Sequence, residues 1–323
     1  LSNNDSGTSN TVFGKNAGAS IDAGSNYNVF IGENVADSSL NDATDNVGVG
    51  YDALTALTTG DKNTAIGKGS LDSLTEGSQN TALGRTSLPA LTTGGNNVGI
   101  GMDAGLLTTE GNHNIFIGTE AGNSNTTGDE LICIGYRAGY AINHATSADG
   151  TIAIGYQAGL GITSGGGNLN IGYKAGSTTT TASYNTYIGY ESGVGDGTQH
   201  SRNTGIGYQT LKANTSGENN TSIGNQSGLS LTTGGGNTLL GSESGSTITT
   251  GNNNTAIGYQ VMHDVDAGST ASGSSSNTFV GAYTAGGAWA NTASSQNAWG
   301  IRQENLLQQQ IIALLLEIYQ GQT

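Results

Sequence analysis

A glycine returns along this chain in the same local setting every 17 or 18 residues, from Gly14 to Gly281 and once more at Gly300. The series runs through Gly32, Gly50, Gly67, Gly84, Gly101, Gly118, Gly135, Gly155, Gly172, Gly189, Gly207, Gly224, Gly241 and Gly258. Ten of its sixteen intervals are 17 residues, three are 18, and the others are 19, 20 and 23. A short fixed period means stacked coils rather than a folded-back globule. It also disposes of a tempting motif. Gly99, Gly101 and Ala104 spell G-x-G-x-x-A, the dinucleotide fingerprint. Near-copies recur at Gly48–Ala53 and Gly205–Thr210, and the next turn arrives before any crossover helix fits. The motif is one repeat unit, and the sequence assigns no cofactor.

Aligned on that glycine, each position has a character. The preceding residue is apolar in all seventeen copies, usually Ile, as at Ile31, Ile66, Ile100, Ile134 and Ile257. Two residues before that stands Thr, Val or another aliphatic, so the pair shares one face of a short strand. Four before the glycine is Asn in fourteen of seventeen copies. Three after it is a small residue, and seven after it is often Leu or Ile, followed by T-T-G or a relative.

These positions predict a parallel β-solenoid or β-roll of about sixteen 17-residue coils. Each coil is expected to hold a strand of about five residues, a glycine turn, a second short strand and a T-T-G corner. Stacked coils share a continuous apolar core, and each Asn lies over the Asn of the next coil. At about 4.8 Å per coil the stack would be roughly 75–80 Å long.

The period breaks at "AINHATSADG" and "HDVDAGSTASGSSSN", which are expected to bulge as surface loops. After Gly281 it decays through residues 282–300, a transition or cap. Residues 301–323 change character: "IRQENLLQQQIIALLLEIYQ" lacks Gly and Pro and predicts a helix. Leu307, Ile311, Leu314 and Ile318 form a heptad seam that Leu315 widens. The wide face favours self-association of three or more helices, a trimeric coiled coil. The predicted organisation is thus a shaft over 1–281, a cap over 282–300 and an oligomerising helix over 301–323.

Composition narrows the function. Net charge is −15, and the nine basic residues are scattered singly, so no nucleic-acid surface is expected. No run approaches the length of a bilayer span, and no membrane insertion is expected. His113, His144, His200 and His263 share no ligand spacing with Cys133, so no metal site is expected. Cys133 occupies the strand position that is Ala, Gly or Phe elsewhere, a packing position.

"NTAIGKGSL", "NTALGRTSL", "NTAIGYQVM" and "IAIGYQAGL" resemble the N-T-A-I-G-Y repeats of bacteriophage tail-fibre proteins. More distantly they are similar to the heads of trimeric autotransporter adhesins, which are left-handed parallel β-rolls. The resemblance covers about residues 10–281. It implies a homotrimeric, non-enzymatic fibre on a virion tail or extracellular surface. Its implied partners are a host cell-surface glycan or protein and other fibre or baseplate proteins. Many tail fibres continue into a self-cleaving intramolecular chaperone, and a chain ending at Thr323 would fit a matured fibre. A bacterial trimeric adhesin and a polysaccharide-degrading tailspike are the alternatives.

Two sets of residues carry candidate chemistry. Tyr136, Tyr156, Tyr173, Tyr190 and Tyr208 follow the anchor glycine in five consecutive coils. Such a row offers a contact surface for sugars or a partner protein, and it equally suits packing over the turn. Asp103 and Glu120 occupy the next position in adjacent coils, the spacing of a retaining glycosidase pair. Other coils carry Asn, Gln, Lys or Arg there, which marks a solvated face. The paired threonines of the corners raise a third possibility, an ice- or mineral-binding face, which irregular corners spoil.

Overall fold

The computed structural model describes residues 7–143, 150–195, 200–263, 273 and 275–285, and the backbone of 297–299. The chain is an all-β parallel solenoid of about 14 turns of ~17 residues, with no helix among the described residues. It divides into two compact units, Leu1–Ser183 and Tyr184–Thr323. The first holds β1 (Thr11–Phe13), β2 (Val29–Ile31), β3 (Val47–Val49), β4 (Thr64–Ile66) and β5 (Thr81–Leu83). It continues with β6 (Val98–Ile100), β7 (Ile115–Ile117), β8 (Ile132–Ile134), β9 (Ile152–Ile154) and β10 (Leu169–Ile171). The second holds β11 (Thr186–Ile188), β12 (Thr204–Ile206), β13 (Thr221–Ile223) and β14 (Thr238–Leu240). It ends with β15 (Thr255–Ile257), β16 (Thr278–Val280) and β17 (Asn297–Trp299). Within each unit consecutive strands pair in parallel, each residue opposite its repeat equivalent, as Val98↔Ile115 and Thr204↔Thr221.

Two details of the predicted coil are corrected. Each strand is three residues long rather than about five, and among the described residues no second strand follows the glycine. The chain there makes consecutive turns instead, because residues two and four after the glycine are left-handed. Asp103 (φ 57°) and Leu88 (φ 50°) are examples. A residue of opposite hand bends the backbone every second position, which no strand tolerates.

The asparagine stack is present as expected. Asn97 donates its main-chain N–H to Asn80 Oδ1 at 3.0 Å and its side-chain amide to the same oxygen at 3.1 Å. The side-chain amide also reaches the Gly111 carbonyl at 2.7 Å, so it ties the coil corner as well. The column breaks where Leu131 and Thr151 replace Asn, on either side of the first inserted loop. There the Leu131 N–H still donates to Asn114 Oδ1 at 2.9 Å, and Asn125 accepts from the Gly128 N–H of the preceding corner at 3.0 Å. The anchor glycines are needed where backbones meet. Gly101 has φ +125°, and an added Cβ would lie 2.8 Å from the Gly118 carbonyl.

Which face of the strand is covered is decided by the packing of the coils. The residue that points inward is the middle one, the position whose identity varies, as in Ala82, Phe116 and Tyr187. The recurrent Ile and its β-branched companion point outward. Ile31 is 37% exposed and Leu83 is 45% exposed. Core volume is shared between the middle strand residue and the left-handed residue four after the glycine. Where the latter is Leu54, Leu71 or Leu88, the former is Gly48, Ala65 or Ala82. Where the former is Phe116, Tyr187 or Leu239, the latter is Gly122, Gly193 or Gly245. A Cβ on Gly122 would lie 2.3 Å from the Phe116 ring, and one on Gly193 would lie 2.5 Å from that of Tyr187. Each coil can place one large group there, because the interior is packed to a fixed volume. Cys133 fills the same position over Gly139, a packing role as read from the sequence.

Candidate interaction surface

What remains for function is what the coils leave on their outside. At the T-T-G corners the two threonines differ. Thr58 Oγ1 donates to the Thr75 carbonyl at 3.0 Å, and Thr92 Oγ1 to the Thr109 carbonyl at 3.0 Å. These first-threonine hydroxyls satisfy the backbone of the next coil, while the second threonine of the corner, as Thr59 and Thr93, is exposed.

The acidic pair is also committed. Asp103 accepts from the Thr86 hydroxyl and lies 3.6 Å from the Arg85 guanidinium. Glu120 turns the other way, to Arg137 Nε at 2.5 Å. That carboxylate holds the Arg137 proton more firmly than usual, chiefly through the hydrogen bond. Two carboxylates drawn to arginines on opposite sides do not converge on one bond. The same row continues with polar pairs, such as Gln209 Nε2 to Glu191 Oε2 at 2.9 Å.

The tyrosines form stacks. In the first unit Tyr136 and Tyr156 have ring centroids 5.5 Å apart at 21°, and Tyr156 and Tyr173 are 5.2 Å apart at 7°. In the second unit Tyr190 and Tyr208 lie 5.3 Å apart at 14°. Arg137 and Lys174 sit over the Tyr136 and Tyr173 rings, each about 5.4 Å from the centroid. The rings thus pack on one another over the turns, as one of the two sequence readings has it. Their faces are spent on each other, while each tyrosine as a whole remains about 40% exposed. A sugar ring cannot lie flat on a face already covered. The row instead offers hydroxyls and ring edges one coil apart.

Sequence reasoning missed the outward strand face. From β1 to β16 the first and third residue of every strand is Thr, Val, Ile, Leu or Phe. None of the chain's charged residues falls on those positions. A solvated sheet face is ordinarily polar. The signal was available in the invariance of the apolar residue and the variability of its neighbour, a pattern opposite to a shared core with a polar exterior.

Other predicted elements fall elsewhere. Leu307, Ile311, Leu314, Leu315 and Ile318 lie outside the described residues, as do 144–149 and most of 264–274. No helix among the described residues is long and apolar enough to cross a membrane. His200 is buried, with its Nδ1 3.1 Å from the Tyr187 hydroxyl, and His263 lies 3.3 Å from Glu243. Among the described residues no three His, Cys, Asp or Glu converge. Compared with protein-family models, curated proteins and solved structures, the chain matches none of them.

Proposed function

We propose that this chain is the shaft of a homotrimeric adhesive fibre, of the phage tail-fibre kind, whose work is mechanical reach and attachment to a host cell surface. The reading rests on the solenoid itself. Its polar side chains are largely bound along the stack, as Asn to Asn, Thr to carbonyl and carboxylate to Arg. Such a body resists extension and presents repeated surfaces for interaction.

The observation that carries the attachment role is the exposed tyrosine rows, Tyr136–Tyr156–Tyr173 and Tyr190–Tyr208. Tyr supplies large contact area at low conformational cost, and its hydroxyl reads polar partners such as glycans. The wide seam of Leu307, Ile311, Leu314, Leu315 and Ile318 supplies the trimeric clamp in this reading. The fibre belongs on a virion tail or another extracellular surface, joined to further fibre or baseplate proteins and independent of any cofactor.

The test is binding of the full chain to glycan arrays and to intact bacterial cells, with light scattering alongside. The fibre reading expects a mass near three times 32.4 kDa, reduced by truncation before Ile301. It also expects at least tenfold weaker binding for a Tyr156→Ala/Tyr173→Ala variant that keeps its mass. Binding that is unaffected by either substitution rejects the tyrosine rows as the contact.

A further inference from the structure

The outward strand face has a second consequence. We propose that it is the surface on which copies of this chain pack together, centred on β6 to β10 and flanked by Tyr136, Tyr156 and Tyr173. This deepens the fibre reading and rests on it for the number of copies.

Three observations carry the assignment. The first is composition by position. With a net charge of −15, copies repel one another wherever their acidic sides approach. The strand face excludes every charged residue. Its longest aliphatic run is the five strands β6 to β10, where both outward positions are Val, Ile or Leu, with Ile132, Ile152 and Ile154 near its middle, whereas β4, β5 and β11 to β16 begin with Thr.

The second is area. Three residues per strand span about 10 Å, and strands stand about 4.8 Å apart. The face of β2 to β10 thus covers about 430 Å², and that of β11 to β16 about 290 Å². The first alone reaches the size at which an exposed apolar patch marks a contact site.

The third is period. The face repeats with every coil, in parallel and in register, as Ile132↔Ile152 and Ile152↔Leu169. A globular partner would meet a few strands. A copy rotated about an axis along the stacking direction of the first unit meets each of β2 to β10 with its own equivalent, so the contact closes into a ring. Aromatic residues belong at the margin of such a contact. The stacked tyrosines begin two residues beyond the third strand position, next to the last three strands of the aliphatic run.

Cysteine trapping in the full chain tests this. In a Cys133→Ala background, Ile152→Cys and Ile154→Cys are each oxidised and run on a denaturing gel, with Thr93→Cys on an exposed corner as control. Covalent dimer at 152 or 154 and none at 93 is the expected result. A second variant, Ile134→Asp/Ile154→Asp, should lower the mass toward 32.4 kDa while the circular dichroism spectrum of the solenoid persists. A multimeric chain that traps at 93 and not at 152 or 154 overturns the face and leaves the fibre standing. A monomeric chain overturns the face and the trimer together. Trapping at 152 or 154 in a chain that binds no glycan or cell upholds the face and sinks the attachment role.

Discussion

Asn80 is bound to Asn63 twice, since its main-chain N–H and its side-chain amide both donate to Asn63 Oδ1, at 3.0 and 3.1 Å. The relation repeats from coil to coil, so each side chain is at once an acceptor for the coil after it and a donor to the coil before it. Asn80→Ala would strand the Asn97 N–H and the Gly94 carbonyl, both buried. At about 1–3 kcal/mol for each of the two unsatisfied groups, a loss of about 2–6 kcal/mol is expected in urea unfolding. Asn80→Asp, which keeps the acceptor and loses the donor, should cost less at acidic pH than at neutral pH. Equal stability of Asn80→Ala and the parent would show that the column contributes nothing.

Phe116 and Gly122 share one volume. Gly122→Leu should be strongly destabilising, because its side chain enters the Phe116 ring. Phe116→Gly leaves a cavity and should cost about 3–5 kcal/mol. The double variant recreates the pairing seen at Gly48 and Leu54 and should recover at least ~2 kcal/mol of the summed loss. Additive losses in a double-mutant cycle would refute the exchange.

Removing one whole repeat, residues 85–101, brings β5 against β7 in the register the ladder already uses. The shortened chain should fold, with an unchanged circular dichroism signal per residue and a modest loss of stability, as nearest-neighbour coupling requires. Removing half a repeat, residues 85–93, puts inward positions outside and should abolish folding. Folding of both would mean that period does not govern the stack.

Burial pushes the Cys133 thiol from its ordinary 9.0 up to about 12, and burial raises the Tyr187 hydroxyl in the same direction. The unfolded chain therefore loses these protons at lower pH than the folded one. Stability contributed by the protonated thiol is complete below about pH 9 and falls as pH climbs toward 12. Alkaline titration of the melting temperature should show that decline, shallower in Cys133→Ala. At pH 8 the thiol should resist alkylation until the chain is unfolded. Rapid labelling of the native protein would place Cys133 outside the core.

The sequence by itself determined the repeat, its parallel stacking, the asparagine column and the small residue after each turn. These depend on spacing, and a residue such as Asn97 meets its own equivalent whatever the rest of the coil does. Only the tertiary structure decided which side of each three-residue strand is the interior. Alternation puts Val98 and Ile100 on one face and Gly99 on the other, but it does not say which face is covered. That choice lies in the left-handed residues at Asp103 and Gly105, whose turns carry the chain around the Gly99 side and leave Ile100 outside. Left-handed geometry at Asp, Glu, Gln and Leu has no clear mark in the sequence, since these residues reach it only when stacked coils hold them there. The commitment of Asp103 and Glu120 was hidden for a related reason. Their partners, Arg85 and Arg137, are 18 and 17 residues away, close only because each coil lies on the next.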